Sequence, residues 1–336
     1  MKIVVIGGTG FLGAKTVEAL RRFPGVHVEV ASRRGPLIVD VGKPATFAAL
    51  DAADVVIDLT DGTRSRPDAL AAWCLESGKT LLEATSDAET IRRLVDAHRM
   101  AKGPGRVVLG GGLFTGVSNL MARDVAEAAG AGCALTWAVA SSPFSGAGKG
   151  TIALMVEAAA RPAVKTVKGK REEHGLSRGP TLDIAGTKRP TLRMSLAEAE
   201  LLPLSTGATN VETFFAPKPG FLVTAFTMLP AFLLATRWFR WLLEAYFTVL
   251  RRFVLRSVPS SVQMVATAER AGKAFSRTVT CSDGMDAGAW ALAAMAEAVG
   301  RAPPEAGLSF IDDTVRLEAL VKRVNEVAGR VVLALE

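Results

Sequence analysis

"MKIVVIGGTGFLG", residues 1–13, decides how the rest of the chain is read. Ile3, Val4, Val5 and Ile6 form an unbroken apolar, largely β-branched run, the pattern of a strand covered on both faces. Gly8, Gly10 and Gly13 follow in G-x-G-x-x-G register and open a helical pattern. A dinucleotide pyrophosphate needs that context: a tight turn, a backbone free of side chains, and helix N–H groups aimed at the phosphate charge. Gly7, Gly8, Thr9, Gly10, Phe11, Leu12 and Gly13 are therefore assigned to the cofactor.

Further apolar runs recur at 26–31, 37–39, 55–59, 81–82 and 107–109, with helix-like stretches between several of them. Strands alternating with helices predict a doubly wound α/β domain of the Rossmann type over residues 1–120. From 121 to 336 the pattern changes. A strand at 135–142 runs into the glycine-rich turn "SGAGKGT", followed by a helix through 152–160. Residues 161–193 are basic and read as loops with short strands. Residues 262–282 alternate with period two around Ala271-Gly272, a hairpin signal, and helical patterns follow at 285–300 and 312–328. This is an α+β second domain, whose C-terminal helix is free to pack back on the first.

The second strand ends in "ASRR", residues 31–34. About 20 residues past the fingerprint a carboxylate would ordinarily bind the ribose hydroxyls. Ser32, Arg33 and Arg34 instead offer a hydroxyl and two guanidiniums, which pair with a 2′-phosphate, so NADP(H) is the expected cofactor. Asp40, after the third strand, is a candidate for the adenine edge or for a turn. The loops beyond other strand ends bring Thr60, Asp61 and Gly62, then Glu83, then Ser118 and Asn119 toward the same crevice. Asp61, Glu83, Ser118 and Asn119 are the catalytic candidates. For Asp61 and Glu83 a capping role competes equally, and Ser118 reads foremost as a helix N-cap. The single tyrosine, Tyr246, is followed four residues on by Leu250, which excludes a Tyr-x-x-x-Lys mechanism.

Three separated cysteines and three scattered histidines exclude a zinc site or a disulfide framework and fit a reducing, cytoplasmic compartment. The net charge of +7 favours an anionic partner; a phosphorylated cofactor meets that need without nucleic acid.

Together "GGTGFLG", "ASRR", "VVIDLTDGTRSRPDALAAWCLESGKTLLEATSD", "VVLGGGLFTGVSNLMA", "SGAGKGT" and "VTCSDGMDAGAWALAAMAEAV" resemble the saccharopine dehydrogenase-like oxidoreductases, in particular the branch with trans-acting enoyl reductases. The resemblance implies a Rossmann domain, a substrate domain built on a mixed sheet, and nicotinamide-dependent hydride transfer between them. No cluster of arginines and carboxylates matches an amino-acid site of true saccharopine enzymes, so saccharopine is not the expected substrate.

Residues 220–259 are strongly apolar and aromatic, but Pro230 and Arg237 break the run short of the ~20 residues a spanning helix needs. Arg237, Arg240, Glu244, Thr248 and Arg251 recur at helical spacing, leaving Trp238, Trp241, Leu242, Tyr246, Val249 and Phe253 largely on other faces. Two readings follow: a helix packed in the core or at a homodimer interface, or a peripheral membrane contact acting as a lid for a hydrophobic substrate. The leading expectation is an NADP-dependent oxidoreductase acting on an unsaturated or carbonyl carbon of a hydrophobic small molecule. The alternatives are an imine reductase of amino-acid or polyamine metabolism and a non-catalytic, membrane-associated NADP-binding protein.

Overall fold

A computed structural model describes residues 1–60, 66–142, 149–253 and 260–336. The chain divides into two units, Met1–Leu120 with Asp286–Val332, and Met121–Met285 with Leu333–Glu336.

The first unit is built on β1 (Lys2–Ile6), β2 (His27–Ser32), β3 (Leu37–Ile38), β4 (Val55–Asp58), β5 (Thr80–Glu83), β6 (Arg106–Leu109) and β15 (Gly307–Phe310). Their order is β15-β6-β5-β4-β1-β2-β3, and every neighbouring pair is parallel. The continuous apolar runs explain this: Ile3–Ile6, Val55–Ile57, Leu81–Leu82 and Val107–Leu109 are all buried, which requires cover on both faces of the sheet. Cover on this unit includes α1 (Phe11–Leu20), α2 (Asp68–Ser77) and α3 (Ala88–His98). Strand order reverses between β1 and β4, so the crevice beyond their carboxyl ends is the topological switch point.

The first unit takes more of 121–336 than the C-terminal helix that was free to pack back on it: the whole of Asp286–Val332 belongs there. Gly307–Phe310 extends the first sheet in parallel register with Arg106–Leu109. The preceding helix, Gly284–Arg301, buries Leu292, Ala293, Met295 and Ala296, and the Gly112 N–H donates to the Met295 sulfur at 3.4 Å. Arg323 closes the far side, pairing with Glu297 at 2.8 Å and lying 5.3 Å over the Phe23 ring.

The second unit holds a mixed sheet in the order β10-β11-β12-β7-β13-β14-β16, with β8 and β9 off that path. These strands are β7 (Ala134–Ser141), β8 (Ala163–Val167), β9 (Lys170–His174), β10 (Ser177–Ile184), β11 (Thr187–Arg193), β12 (Asn210–Pro217), β13 (Val262–Arg270), β14 (Lys273–Cys281) and β16 (Ala334–Leu335). β12 runs parallel to β7; the other pairs are antiparallel. The hairpin around Ala271-Gly272 is present, both turn residues having positive φ (49° and 77°). Residues 161–193 hold four strands joined by short turns, more strand than the loops with short strands expected. Lys168-Gly169 and Ala185-Gly186 repeat the same two-residue turn, but β9 is exposed along almost its whole length and carries no apolar alternation to announce it.

The "SGAGKGT" turn falls mostly outside the described residues; the helix after it is Lys149–Ala160. Among the described residues of segment 220–259, which end at 253, there are three helices: Leu222–Thr227, Ala231–Ala235 and Arg237–Phe253. No helix among the described residues is long and apolar enough to cross a membrane.

A Cβ added at Gly13 would lie 2.2 Å from the Gly7 carbonyl oxygen, backbone that cannot step aside. Gly13→Ala should therefore cost about 1–3 kcal/mol in denaturant titration, the range for overpacking. Phe11→Ala, at a half-exposed ring two residues earlier, should stay within about 0.5 kcal/mol.

Candidate functional site

The β1–α1 turn is held by backbone contacts that exclude side chains. Gly7 has φ +78° and donates its N–H to the Ala31 carbonyl at 3.0 Å, while the Gly10 N–H closes onto the Gly7 carbonyl at 2.9 Å. A Cβ on Gly7 would stand 2.9 Å from the Leu59 carbonyl, so the turn also presses against the chain leaving β4. Gly8 is packed beneath Val30. Above this base Thr9, Gly10 and Phe11 are exposed, α1 begins without a side-chain cap, and its first turn has no acidic residue. Unsatisfied N–H groups at the positive end of a helix dipole, on a surface a Cβ would obstruct, fit a pyrophosphate. Leu12 is half-buried within the same first turn.

Ser32 ends β2 with its Oγ accepting the Arg34 N–H at 3.3 Å. The Arg33 and Arg34 side chains are exposed, and neither has an ion-pair partner among the described residues. Two unneutralised guanidiniums at the carboxyl end of β2 fit a phosphate on the ribose. Asp40 is committed elsewhere: β3 stops at Ile38, and the Asp40 carboxylate accepts the Gly42 N–H at 3.1 Å and faces the Lys43 ammonium at 3.8 Å. Of its two readings, the turn is the one formed.

At the ends of β4 and β5 two carboxyls meet. Asp58 and Glu83 are partners in the parallel register, both almost fully buried. Thr60 donates to Asp58 Oδ1 through its N–H at 2.8 Å and its hydroxyl at 2.7 Å. Glu83 Oε1 accepts the Thr85 N–H at 3.0 Å, and its Oε2 is buried with no partner. Burial pushes both carboxyls above the ordinary range, and the Asp58 charge pushes Glu83 well above it. The Thr60 donors favour charge on Asp58, so the proton of the pair rests on Glu83. Burial, and behind it the Asp58 charge, push the Cys74 thiol up to about 12, which excludes it as a nucleophile. Asp61 and Gly62 lie outside the described residues.

The loop after β6 folds over this pair. The Gly111 N–H donates to the Glu83 carbonyl at 2.9 Å and the Thr115 hydroxyl to the Thr85 carbonyl at 3.3 Å. The N-cap expected at Ser118 is not there. The wide turn Leu113–Val117 has already brought the chain to helical angles, so Ser118 (φ −57°, ψ −42°) is the first residue of the helix Ser118–Ala129. Its hydroxyl, like both amide atoms of Asn119, is buried without a partner, and neither residue presents an open surface to a ligand.

The second unit brings together two cations that the sequence reading did not single out. Lys218 Nζ donates to Ser261 Oγ at 3.4 Å, and Arg189 Nη2 to Gln263 Oε1 at 3.1 Å. Burial, and after it the Arg189 guanidinium, hold the Lys218 ammonium below the ordinary lysine range. No carboxylate pairs with either among the described residues.

No protein-family model matches the chain. It is 35% identical to a 4-hydroxy-tetrahydrodipicolinate reductase of Halorhodospira halophila (strain DSM 244 / SL1), over 120 residues that cover 30% of this chain and 42% of that protein. The chain thus matches less than half the length of that relative. Among solved structures it is similar to C. glutamicum DAP dehydrogenase in complex with DAP (13% identity, 99% of both chains, TM-score 0.49). An engineered D-amino acid dehydrogenase bound to NADP+ also aligns (13% identity, 94% of both chains, TM-score 0.45).

Asp58 was missed although a signal existed: "VVID" and "LLE" each end an apolar run on an acid. Only the register of β4 against β5 makes them neighbours.

A group that binds its proton more tightly when folded stabilises the fold below its ordinary pKa, and that stabilisation is lost as pH rises through the raised value. Glu83→Gln removes the titration while keeping an acceptor for Thr85. The melting temperature of the variant relative to the parent should therefore improve from about pH 5 to about pH 8. A pH-independent difference would show that Glu83 titrates normally.

Proposed function

We propose that the protein is an NADP(H)-dependent oxidoreductase that reduces an imine or related carbon of a small amino-acid-type acid. The observation that carries the cofactor choice is Arg33 and Arg34, exposed and without acidic partners among the described residues, beside Ser32 and a glycine turn with an open helix N-terminus. Gly7, Gly8, Thr9, Gly10, Phe11, Leu12 and Gly13 hold the pyrophosphate through backbone; Ser32, Arg33 and Arg34 hold the 2′-phosphate. Thr60 borders the switch point on the β4 side. The bound nicotinamide supplies the hydride. Glu83 keeps a proton at the end of β5, favoured there by burial and by the neighbouring Asp58 charge.

Two observations support a charged substrate over a lipid-like one. Arg189 and Lys218 form an unneutralised pair in the second unit, suited to a substrate carboxylate. The aromatic side chains of 221–253 that suggested an apolar substrate are in large part exposed to solvent. The partial relative is named as a reductase, which agrees with this direction of reaction. The proposal needs the wider class of Rossmann oxidoreductases and not the saccharopine dehydrogenase-like branch.

Fluorescence titration should show NADPH binding at least about tenfold more tightly than NADH, as two charge-assisted contacts require. Arg33→Ala with Arg34→Ala should erase most of that difference while leaving NADH affinity unchanged. Equal affinities in the parent protein would refute the NADP assignment. With NADPH bound, cyclic imino acids should be reduced and enoyl thioesters should not. Lys218→Met should raise KM for the acid more than it lowers kcat. Tight NADPH binding without hydride transfer to any of these would support the non-catalytic reading instead.

A further inference from the structure

Nine of the fifteen exposed large hydrophobic residues among the described ones fall between 221 and 253: Phe221, Met228, Phe232, Trp238, Trp241, Leu242, Tyr246, Val249 and Phe253. The helix Arg237–Phe253 explains the clustering. One side is anchored to the second unit, where Phe247 is buried and stacks 6.1 Å from Phe226, and Arg240 pairs with Glu157 at 3.3 Å. The other side carries Trp238, Leu242, Tyr246 and Val249, spaced by four, four and three residues. They form one stripe, from 47% to 62% exposed, with Trp241 at its edge. An apolar stripe of this kind is left open to water only where a partner covers it.

The charge of the segment selects the partner. Residues 220–259 contain five arginines and one acid, Glu244, and so supply +4 of the chain's net +7. Within the helix Arg237 stands at one end and Arg251 and Arg252 at the other, while Arg240 on the anchored side is taken up by Glu157. A second copy laid against this stripe, in parallel or antiparallel, would set arginine against arginine at each end with a single acid between. An anionic lipid surface has the opposite charge along its whole extent. The residue types agree: tryptophan and tyrosine prefer the headgroup boundary, where the ring is buried and the polar atom stays wet. At 17 residues the helix is about 25 Å long and lies along such a surface; it does not span it.

We propose that the outer face of Arg237–Phe253, with the flanking helices Leu222–Thr227 and Ala231–Ala235, docks the protein onto anionic membrane lipid. This surface lies in the second unit alone and is independent of the cofactor assignment. The test uses the full chain with vesicles of phosphatidylcholine, alone or with one part in three phosphatidylglycerol. The protein should float with the anionic vesicles and partition at least about tenfold less onto the neutral ones, the binding weakening as salt is raised. Trp238→Ser with Trp241→Ser should abolish flotation, and Trp238→Phe with Trp241→Phe should retain it, with the far-ultraviolet circular dichroism of both unchanged. No flotation of the parent protein with anionic vesicles, or equal flotation of the serine variant, overturns the proposal. So does a concentration-dependent dimer in sedimentation that the serine variant dissociates while the parent ignores lipid; that result assigns the stripe to a second copy.

Discussion

The first unit depends on one close approach of backbone to backbone. Gly13 brings the first turn of α1 so near β1 that its Cα faces the Gly7 carbonyl with no room for a methyl group, and Gly7 in turn abuts the Leu59 carbonyl at the end of β4. These contacts fix where α1 begins relative to the switch point and leave its first N–H groups uncovered. Van der Waals exclusion sets the geometry, and the helix dipole gives it a sign. A side chain at either glycine would move the helix start and remove the anion site with it.

The same end of the sheet brings together two exposed guanidiniums and two buried carboxyls. Among the described residues Arg33 and Arg34 have no acidic partner at the end of β2, while Asp58 and Glu83 are buried side by side at the ends of β4 and β5. Burying two carboxyls together opposes stability unless one keeps its proton. Strained or unsatisfied groups of this kind concentrate where a protein binds and reacts. Arg189 and Lys218 repeat the theme in the second unit with the opposite sign.

Much of the first unit was legible because parallel strands covered on both faces write themselves as unbroken apolar runs, as β1, β4, β5 and β6 do. The seventh strand, Gly307–Phe310, was not legible: "GLSF" is short and half polar, and its place depends on pairing with Arg106–Leu109 some two hundred positions away. Strands Lys170–His174 and Ser177–Ile184 failed for the converse reason, since a largely exposed strand has no apolar face to alternate. Of the candidate site, the glycine turn and Ser32-Arg33-Arg34 were readable because local spacing defines them. The Asp58–Glu83 pair was not, since it exists only once strand order is known, and Ser118 was misread because the turn before it is already helical in its last residues.

The central claim, that the β1–α1 turn and the end of β2 together bind NADP(H), is tested most directly by a crystal structure of the protein grown with NADP+. The account predicts the pyrophosphate within hydrogen-bond distance of the backbone N–H groups of Thr9–Leu12 and the 2′-phosphate paired with the Arg33 or Arg34 guanidinium. A nucleotide lying elsewhere, or a 2′-phosphate turned to solvent with both arginines unengaged, would contradict it.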